Sequence, residues 1–198
     1  MVRTSTDKKI LESALKLISE KGYLGTTTKD IAREAGITEV TLFRHFGSKE
    51  RLFEEVLKCY TFLPKLKEVI SEIEGDSINY ENTLKKIGMR FFETLKERKS
   101  FVRILSSEMN VYPDKTREVF SKFIDETNKV LSGYFKSQQN AGNLRKFSPE
   151  IAARGFLGML FCYFNVEEIV KGKSISHQKI EMIIKEFVEI FVNGTLKD

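Results

Sequence analysis

The chain has little of what most catalytic and metal sites require. It contains no tryptophan, two histidines and two cysteines, Cys59 and Cys162. These cysteines are too far apart for a CxxC pair or for zinc-ligand spacing. The sequence also lacks a GxSxG elbow, a P-loop and an HExxH motif, and His45 and His177 have no evident catalytic partner. We therefore expect a protein that is not an enzyme and that uses no metal and no cofactor.

Long hydrophobic runs are absent as well. No apolar stretch approaches the ~18 uncharged residues that span a bilayer, and the opening MVRTSTDKKI lacks the apolar segment of a secretory signal. We expect a soluble, cytoplasmic globule with no membrane partner. A formal net charge of +5 indicates nucleic acid only weakly, because no basic block stands out.

The pattern that is present is helical. Apolar residues recur at spacings of three and four along almost the whole chain, which predicts an all-α fold of about nine helices. The N-terminal caps expected from composition are Thr38, Ser48 and Ser148, the last followed by proline. Thr27 and Asp30 predict a capping box at the start of another helix.

Two breakers shape the middle of the chain. Pro64 should end or kink the helix that begins at Ser48. Gly75 and Asp76 predict a connection before the longer helices of the second half.

Residues 28–47 fit a helix-turn-helix. Ala32 is small enough for a close helix crossing, Gly36 tolerates the positive φ of a tight turn, and Leu42 can fill the space between the helices. The second helix would then present its outward face to the major groove. An ordinary αα-corner with a solvated face is the alternative.

The stretch GYLGTTTKDIAREAGITEVTLFRHFGSKERLFEEVL resembles the DNA-binding domain of TetR-type transcriptional regulators, and the resemblance is specific over about residues 7–57. It implies a helix-turn-helix domain at residues 1–60 and an effector-binding and dimerisation domain at residues 61–198. It further implies a homodimer in which a small effector changes the separation of two DNA-reading heads.

The resemblance also implies the DNA contacts. Hydroxyls and amides at the start of the second helix would touch phosphate, the third helix would meet bases or phosphate, and a lysine after the Ser48 cap would hold the backbone. The residues concerned are Thr27, Thr28, Thr38, Glu39, Val40, Thr41, Phe43, Arg44, His45 and Lys49.

Two of these positions depart from the family pattern. Phe43 stands where tyrosine is usual and therefore lacks a hydroxyl for phosphate. Glu39 stands where lysine or a small residue is common, and its carboxylate repels phosphate unless it accepts from a cytosine amino group. Arg3 and Lys8 could form a minor-groove arm or could belong to a disordered terminus.

Sixteen phenylalanines are many for this length, and most follow residue 60. They could simply fill a helical core, but in a TetR-like domain some should line a cavity for an apolar or aromatic effector. The candidates are Phe62, Leu66, Phe91, Phe92, Leu95, Phe101, Leu105, Met109, Phe120, Phe123, Phe156, Met159 and Tyr163. Arg103 and Glu108 could add polar contacts or could be solvated.

The last two predicted helices are too apolar for one intramolecular neighbour to cover. Gly155 and Gly158 would allow close approach of a second backbone. We expect these helices to form a four-helix interface with a second copy, the alternative being a monomer with a larger core.

The sequence therefore favours a ligand-responsive DNA-binding regulator, by family analogy a repressor that binds a palindromic operator as a dimer and is released by an apolar or aromatic effector. The alternative is a soluble helical protein that binds a small molecule and whose helix-turn-helix is structural only.

Overall fold

The computed structural model describes residues 4–73 and 79–196. Within these ranges the chain is helical and contains no strand, which confirms the all-α prediction. The connection predicted around Gly75 and Asp76 and the Arg3 end of the predicted arm lie outside the described residues.

Ten α-helices are found in the described residues, one more than about nine. They are α1 (Ser5–Lys21), α2 (Thr28–Glu34), α3 (Glu39–Phe46), α4 (Lys49–Tyr60), α5 (Phe62–Ile73), α6 (Tyr80–Glu97), α7 (Lys99–Glu108), α8 (Asp114–Asn140), α9 (Pro149–Phe164) and α10 (His177–Thr195). A 3₁₀ turn, Met109–Val111, precedes α8, and a π-helical segment, Asn165–Val170, continues α9.

Local chemistry sets most helix starts as expected. The hydroxyls of Thr38, Ser48 and Ser148 accept the amides of the third helical residue at 3.2, 3.2 and 3.3 Å. Gly36 has a φ of 69°, as the tight turn of a helix-turn-helix requires.

Pro64 does not act where the sequence predicted. The helix that begins after Ser48 ends at Tyr60, and Pro64 is the third residue of α5. The first-turn amides of a helix have no intrahelical partner, so proline is tolerated there without a lost hydrogen bond.

The chain divides into two compact units, residues 1–61 with 98–124 and residues 62–97 with 125–198. In the first unit α1 packs against α2, α4 and α7, and in the second α6 packs against α5, α9 and α10. Compactness therefore divides the chain differently from the functional boundary at residue 60, which stays a prediction.

Candidate DNA interface and effector region

The outward side of α3 is mostly apolar. Val40 is 78% exposed and Phe43 is 42% exposed, and Arg44 is exposed beside them. With about 3.6 residues per turn, these three side chains share one arc of the helix, and the completely buried Leu42 lies on the other side. We call Val40, Phe43 and Arg44 the reading face. Arg44 has no hydrogen bond or ion pair with any described residue.

Polar side chains flanking the reading face are engaged within the protein. The Thr28 hydroxyl donates to Glu39 Oε1 at 2.5 Å. The hydroxyls of Thr38 and Thr41 form one hydrogen bond, with 2.9 Å between their oxygen atoms. The Glu39 carboxylate therefore has a partner, the Thr28 hydroxyl, that the sequence did not indicate.

The start of α2 is capped differently from the predicted capping box. The Thr27 hydroxyl accepts a hydrogen bond from the Asp30 amide at 3.0 Å and donates one to Asp30 Oδ2 at 2.7 Å. In a capping box the Asp30 carboxylate would instead accept a hydrogen bond from the Thr27 amide. The hydroxyl protons of Thr27 and Thr28 both go to carboxylates, so these hydroxyls have no proton left for the predicted phosphate contacts. The complete capping box lies at Thr4 and Asp7, at the start of α1.

Asp7 contacts the carboxyl-terminal end of α3 through His45. Its Oδ1 atom is 2.6 Å from His45 Nδ1, and its Oδ2 atom accepts the Thr4 amide at 2.9 Å. Burial alone would raise the pKa of Asp7, but the hydrogen bonds from Thr4 and His45 outweigh it and hold that pKa below its usual value. This pairing occupies Nδ1 of His45 and joins the last turn of α3 to the first turn of α1.

Lys49 braces the turn between α1 and α2 from the start of α4. Its ammonium donates to the Tyr23 carbonyl oxygen at 2.5 Å and lies 4.1 Å from the centroid of the Tyr23 ring. Burial lowers the pKa of Lys49, an effect that the carboxylates of Glu50 and Glu108 oppose. An ammonium has three protons, so Lys49 can still donate to a phosphate while it holds Tyr23.

A carboxylate from α7 reaches the same turn. Glu108 Oε2 accepts the Tyr23 amide at 2.9 Å, a contact between residues 85 positions apart. Gly22 has a φ of 79° and a ψ of 167°, and a Cβ built on it would lie 2.5 Å from Glu108 Cδ. Glu108, predicted either to contact the effector or to be solvated, therefore fixes the α1–α2 turn.

The predicted effector residues fall into two groups, one in each compact unit. Five of them belong to the first compact unit and lie in or against the core of its helix-turn-helix, namely Phe101, Leu105, Met109, Phe120 and Phe123. The other candidates lie in the second unit. Helical periodicity identifies a buried face but not the core in which that face is buried, so the sequence could not separate the groups.

In the second unit, α5 and α6 bring several candidates together. The rings of Phe62 and Phe91 are 4.8 Å apart, and Phe92 packs edge-on against Phe164 of α9 at 5.8 Å. Leu66 and Leu95 are buried on the same two helices. We call Phe62, Leu66, Phe91, Phe92 and Leu95 the α5–α6 cluster.

The candidates on α9 have other neighbours. Phe156 packs against Phe191 at 5.3 Å, and Tyr163 packs against Phe187 at 6.0 Å. Met159 is half-buried.

A second aromatic group surrounds Phe191, and sequence reasoning did not assign its members to a site. Phe191 stacks on Phe135 at 5.6 Å, and Phe135 packs against Tyr80 at 6.4 Å. The Tyr80 hydroxyl is hydrogen-bonded to Thr195 Oγ1 at 3.1 Å, and burial raises the pKa of Tyr80. This region therefore contains a buried polar pair among aromatic rings.

Part of the surface of α9 and α10 is apolar. On α9, Ile151 is 73% exposed and is followed on the same face by exposed Gly155, Gly158 and Cys162, at spacings of four, three and four residues. A Cβ added at either glycine would meet nothing within 4 Å. On α10, Ile190 is 63% exposed. We call the four α9 residues the α9 strip.

Comparison with known proteins places these features in a family. The model of bacterial regulatory proteins of the tetR family matches residues 10–56, and the model of the AefR-like transcriptional repressor C-terminal domain matches residues 82–194. The chain belongs to the TetR family. The resemblance drawn from the helix-turn-helix motif is confirmed, and the second match extends it to the larger part of the chain.

Relatives of this TetR-family chain are regulators. It is 28% identical over 193 residues to the uncharacterised HTH-type transcriptional regulator YvkB of Bacillus subtilis, covering 98% of both chains. It is 30% identical over 124 residues to the Staphylococcus aureus biofilm operon icaADBC negative regulator IcaR, covering 63% of this chain and 64% of IcaR. The relatives are transcriptional regulators and not enzymes, as predicted.

Solved structures share the TetR fold over almost the full chain. A TetR-family regulator from Mesorhizobium loti superimposes with a TM-score of 0.74 at 25% identity, covering 98% of this chain and 100% of that one. FadR of Bacillus subtilis, solved in complex with stearoyl-CoA, superimposes with a TM-score of 0.76 at 16% identity, covering 94% and 98%.

Neither a membrane-spanning helix nor a metal-ligand cluster is found in the described residues of this TetR-family chain. None of their helices is both long enough and apolar enough to cross a bilayer. They also contain no group of three or more His, Cys, Asp or Glu side chains that could hold a metal ion.

Besides the Thr28–Glu39 hydrogen bond, two contacts that support the helix-turn-helix were not predicted from the sequence. Asp7 supports His45, and Glu108 supports the turn that carries Tyr23. The Thr4–Asp7 spacing is a capping-box pattern and was available as a signal. No local sequence pattern predicts the contact of Glu108, because its partner Tyr23 lies 85 positions away in the sequence.

Proposed function

We propose that the chain is a cytoplasmic repressor that binds a palindromic DNA operator as a homodimer and is released by a small apolar or aromatic effector. The observation that carries the proposal is the reading face. An exposed arginine flanked by exposed apolar side chains on the second helix of a helix-turn-helix is suited to the major groove.

Contacts to the DNA backbone would come from around this face. The amides of Thr27 and Thr28 and the two remaining ammonium protons of Lys49 can each donate to a phosphate oxygen. In this proposal Asp7 positions the end of α3 through His45, and Tyr23 positions the ammonium of Lys49.

Dimerisation would use α9 and α10. The exposed glycines of the α9 strip allow a second helix to approach closely, and exposed Ile151 and Ile190 supply apolar area to bury. A two-fold dimer would hold two reading faces ~34 to 36 Å apart, one helical turn of DNA. The selected operator should then be an inverted repeat.

The effector would bind in the second unit. The α5–α6 cluster, with Phe156, Met159 and Tyr163 of α9, supplies apolar and aromatic surface, whereas the candidates of the first unit already fill the core of the helix-turn-helix. FadR, a protein of the same fold, binds stearoyl-CoA, which shows that this fold can accommodate a long apolar chain.

Selection of bound DNA from a random pool tests the first part of the proposal. We expect an inverted repeat bound by two chains, with affinity that falls steeply as salt rises. A direct, non-palindromic site bound by one chain would refute the dimer model. Binding of no DNA sequence above the random pool at low salt would favour the alternative, a ligand-binding helical protein with a structural helix-turn-helix.

Linkage tests the second part. An effector can release DNA only if it binds one state better than the other, and operator DNA must then weaken effector binding by the same factor. We expect an apolar or aromatic compound that raises the melting temperature of the free protein to lower operator affinity, and Met159→Ala to blunt this response. A panel of stabilising compounds that leaves operator affinity unchanged would count against the sensor role.

A further inference from the structure

The composition of the reading face specifies what it can recognise. Two of its three members, Val40 and Phe43, have no hydrogen-bonding group, and they are 78% and 42% exposed. The edges of base pairs in the major groove present hydrogen-bond donors and acceptors with one apolar exception, the C5-methyl group of thymine. Among the base edges, that methyl group is therefore the favoured partner of an apolar side chain.

We propose that Val40 and Phe43 read the methyl groups of thymines in each operator half-site, and that Arg44 reads a guanine beside them. This inference rests on the proposed function and deepens it, because it names the bases that the helix selects.

The neighbouring polar side chains are partly engaged in hydrogen bonds within the protein. The carboxylate of Glu39 accepts a hydrogen bond from Thr28, and the hydroxyls of Thr38 and Thr41 are bonded to each other. Glu39 Oε1 and one of the two threonine hydroxyl protons are therefore already engaged within the protein. Arg44 has no hydrogen bond to any described residue, so its whole guanidinium group is available for a base.

Spacing determines how many bases the pair can cover. Val40 and Phe43 are three residues apart on α3, and side chains at this spacing are neighbours with Cβ atoms ~5 to 6 Å apart. Successive base pairs are ~3.4 Å apart along one strand. The two side chains therefore cover neighbouring base pairs, and the half-site should contain one or two critical thymines close to a guanine.

Replacement of thymine by deoxyuridine tests this inference directly, because deoxyuridine lacks only the C5-methyl group and keeps every hydrogen bond. Each thymine of the selected operator is replaced in turn in both half-sites, and the dissociation constant of the wild-type protein is measured. Loss of one buried methyl contact should weaken binding about four-fold for each methyl group removed. We expect this loss at one or two thymines per half-site and no change at the others.

Variants then assign the thymines to side chains. With Val40→Ala, one of the sensitive positions should lose its discrimination between thymine and deoxyuridine, and with Phe43→Ala another should. Val111→Ala is the matched control, because Val111 is also exposed in the first unit, at 65%, and lies outside the helix-turn-helix. It should leave both the affinity and the methyl sensitivity unchanged.

Three results would overturn the inference. Specific operator binding with no sensitive thymine refutes methyl reading and leaves the proposed function standing. Sensitivity that persists in both alanine variants shows that other groups contact the methyls. Failure of the wild-type protein to prefer any sequence refutes the proposed function and this inference with it.

Discussion

Gly22→Ala should be one of the most damaging single-methyl changes in the first unit. Gly22 closes α1 with a φ of 79° and a ψ of 167°, a backbone region that is essentially restricted to glycine. Strain of this kind costs about 1 to 3 kcal/mol. A Cβ would also lie 2.5 Å from Cδ and 2.8 Å from Oε2 of Glu108, so the carboxylate would have to move.

Movement of that carboxylate removes a second contribution. Glu108 Oε2 accepts the Tyr23 amide at 2.9 Å, and a hydrogen bond to a charged group contributes about 1.5 to 3 kcal/mol. Gly22→Ala should therefore lower the free energy of unfolding by about 2.5 to 6 kcal/mol, of which only the strain would remain once Glu108 is absent.

A double-mutant cycle separates the two contributions. Urea unfolding of the wild type, Gly22→Ala, Glu108→Ala and the double variant is followed by circular dichroism at one protein concentration. We expect the double variant to be about 1.5 to 3 kcal/mol more stable than the sum of the single effects predicts. Gly36→Ala provides the strain-only control, because Gly36 has a φ of 69° and nothing within 4 Å of its Cβ position.

Equal costs of Gly22→Ala in the presence and absence of Glu108 would refute this reasoning. The added methyl group would then not displace the carboxylate, and the Glu108–Tyr23 contact would not be what holds the turn.

Further changes test other contacts. Lys49→Ala should weaken binding to all DNA sequences alike and reduce the slope of log affinity against log salt by roughly one. Arg44→Ala should instead cost ~1 to 3 kcal/mol of binding free energy on the selected operator and relax the preference at one base pair. Titration of labelled DNA measures both effects. Asp7→Asn should reduce the loss of stability on acidification, measured by acid unfolding. The folded pKa of Asp7 lies below its ordinary value of 3.8, so its carboxylate stabilises the protein above pH 3.8, and this contribution is lost as the pH falls through the folded pKa. Gly158→Glu should convert dimers to monomers in sedimentation, and Gly133→Glu, at an equally open glycine on α8, should not.

Features that depend on near neighbours in sequence were predictable. Thr38, Ser48 and Ser148 cap helices because their hydroxyls reach an amide three residues ahead, and Gly36 supplies a positive φ that its position between two helices demands. The prediction for Pro64 was wrong, because the effect of a proline depends on whether it lies inside a helix or in the first turn of the next one.

Contacts between distant residues were not predictable in this way. His45 and Asp7 are 38 positions apart, and both Lys49 and Glu108 meet the single residue Tyr23 from different helices. Leu105 shows the same limit for the effector region, since its burial was expected but its place in the core of the first unit depends on tertiary packing. The exposure of the outward face of α3 was predicted from the sequence, but the hydrogen bond from Thr28 to Glu39 was not.

The link from the Thr4 cap through Asp7 to His45 has a practical consequence for anyone who handles this protein. An affinity tag, a cleavage scar or proteolytic trimming at the amino terminus acts within a few residues of the group that anchors the carboxyl-terminal end of α3. Preparations that differ only there can differ in DNA affinity without a change in any residue of the reading face. Binding measurements that are to be compared therefore need the same amino terminus in every preparation.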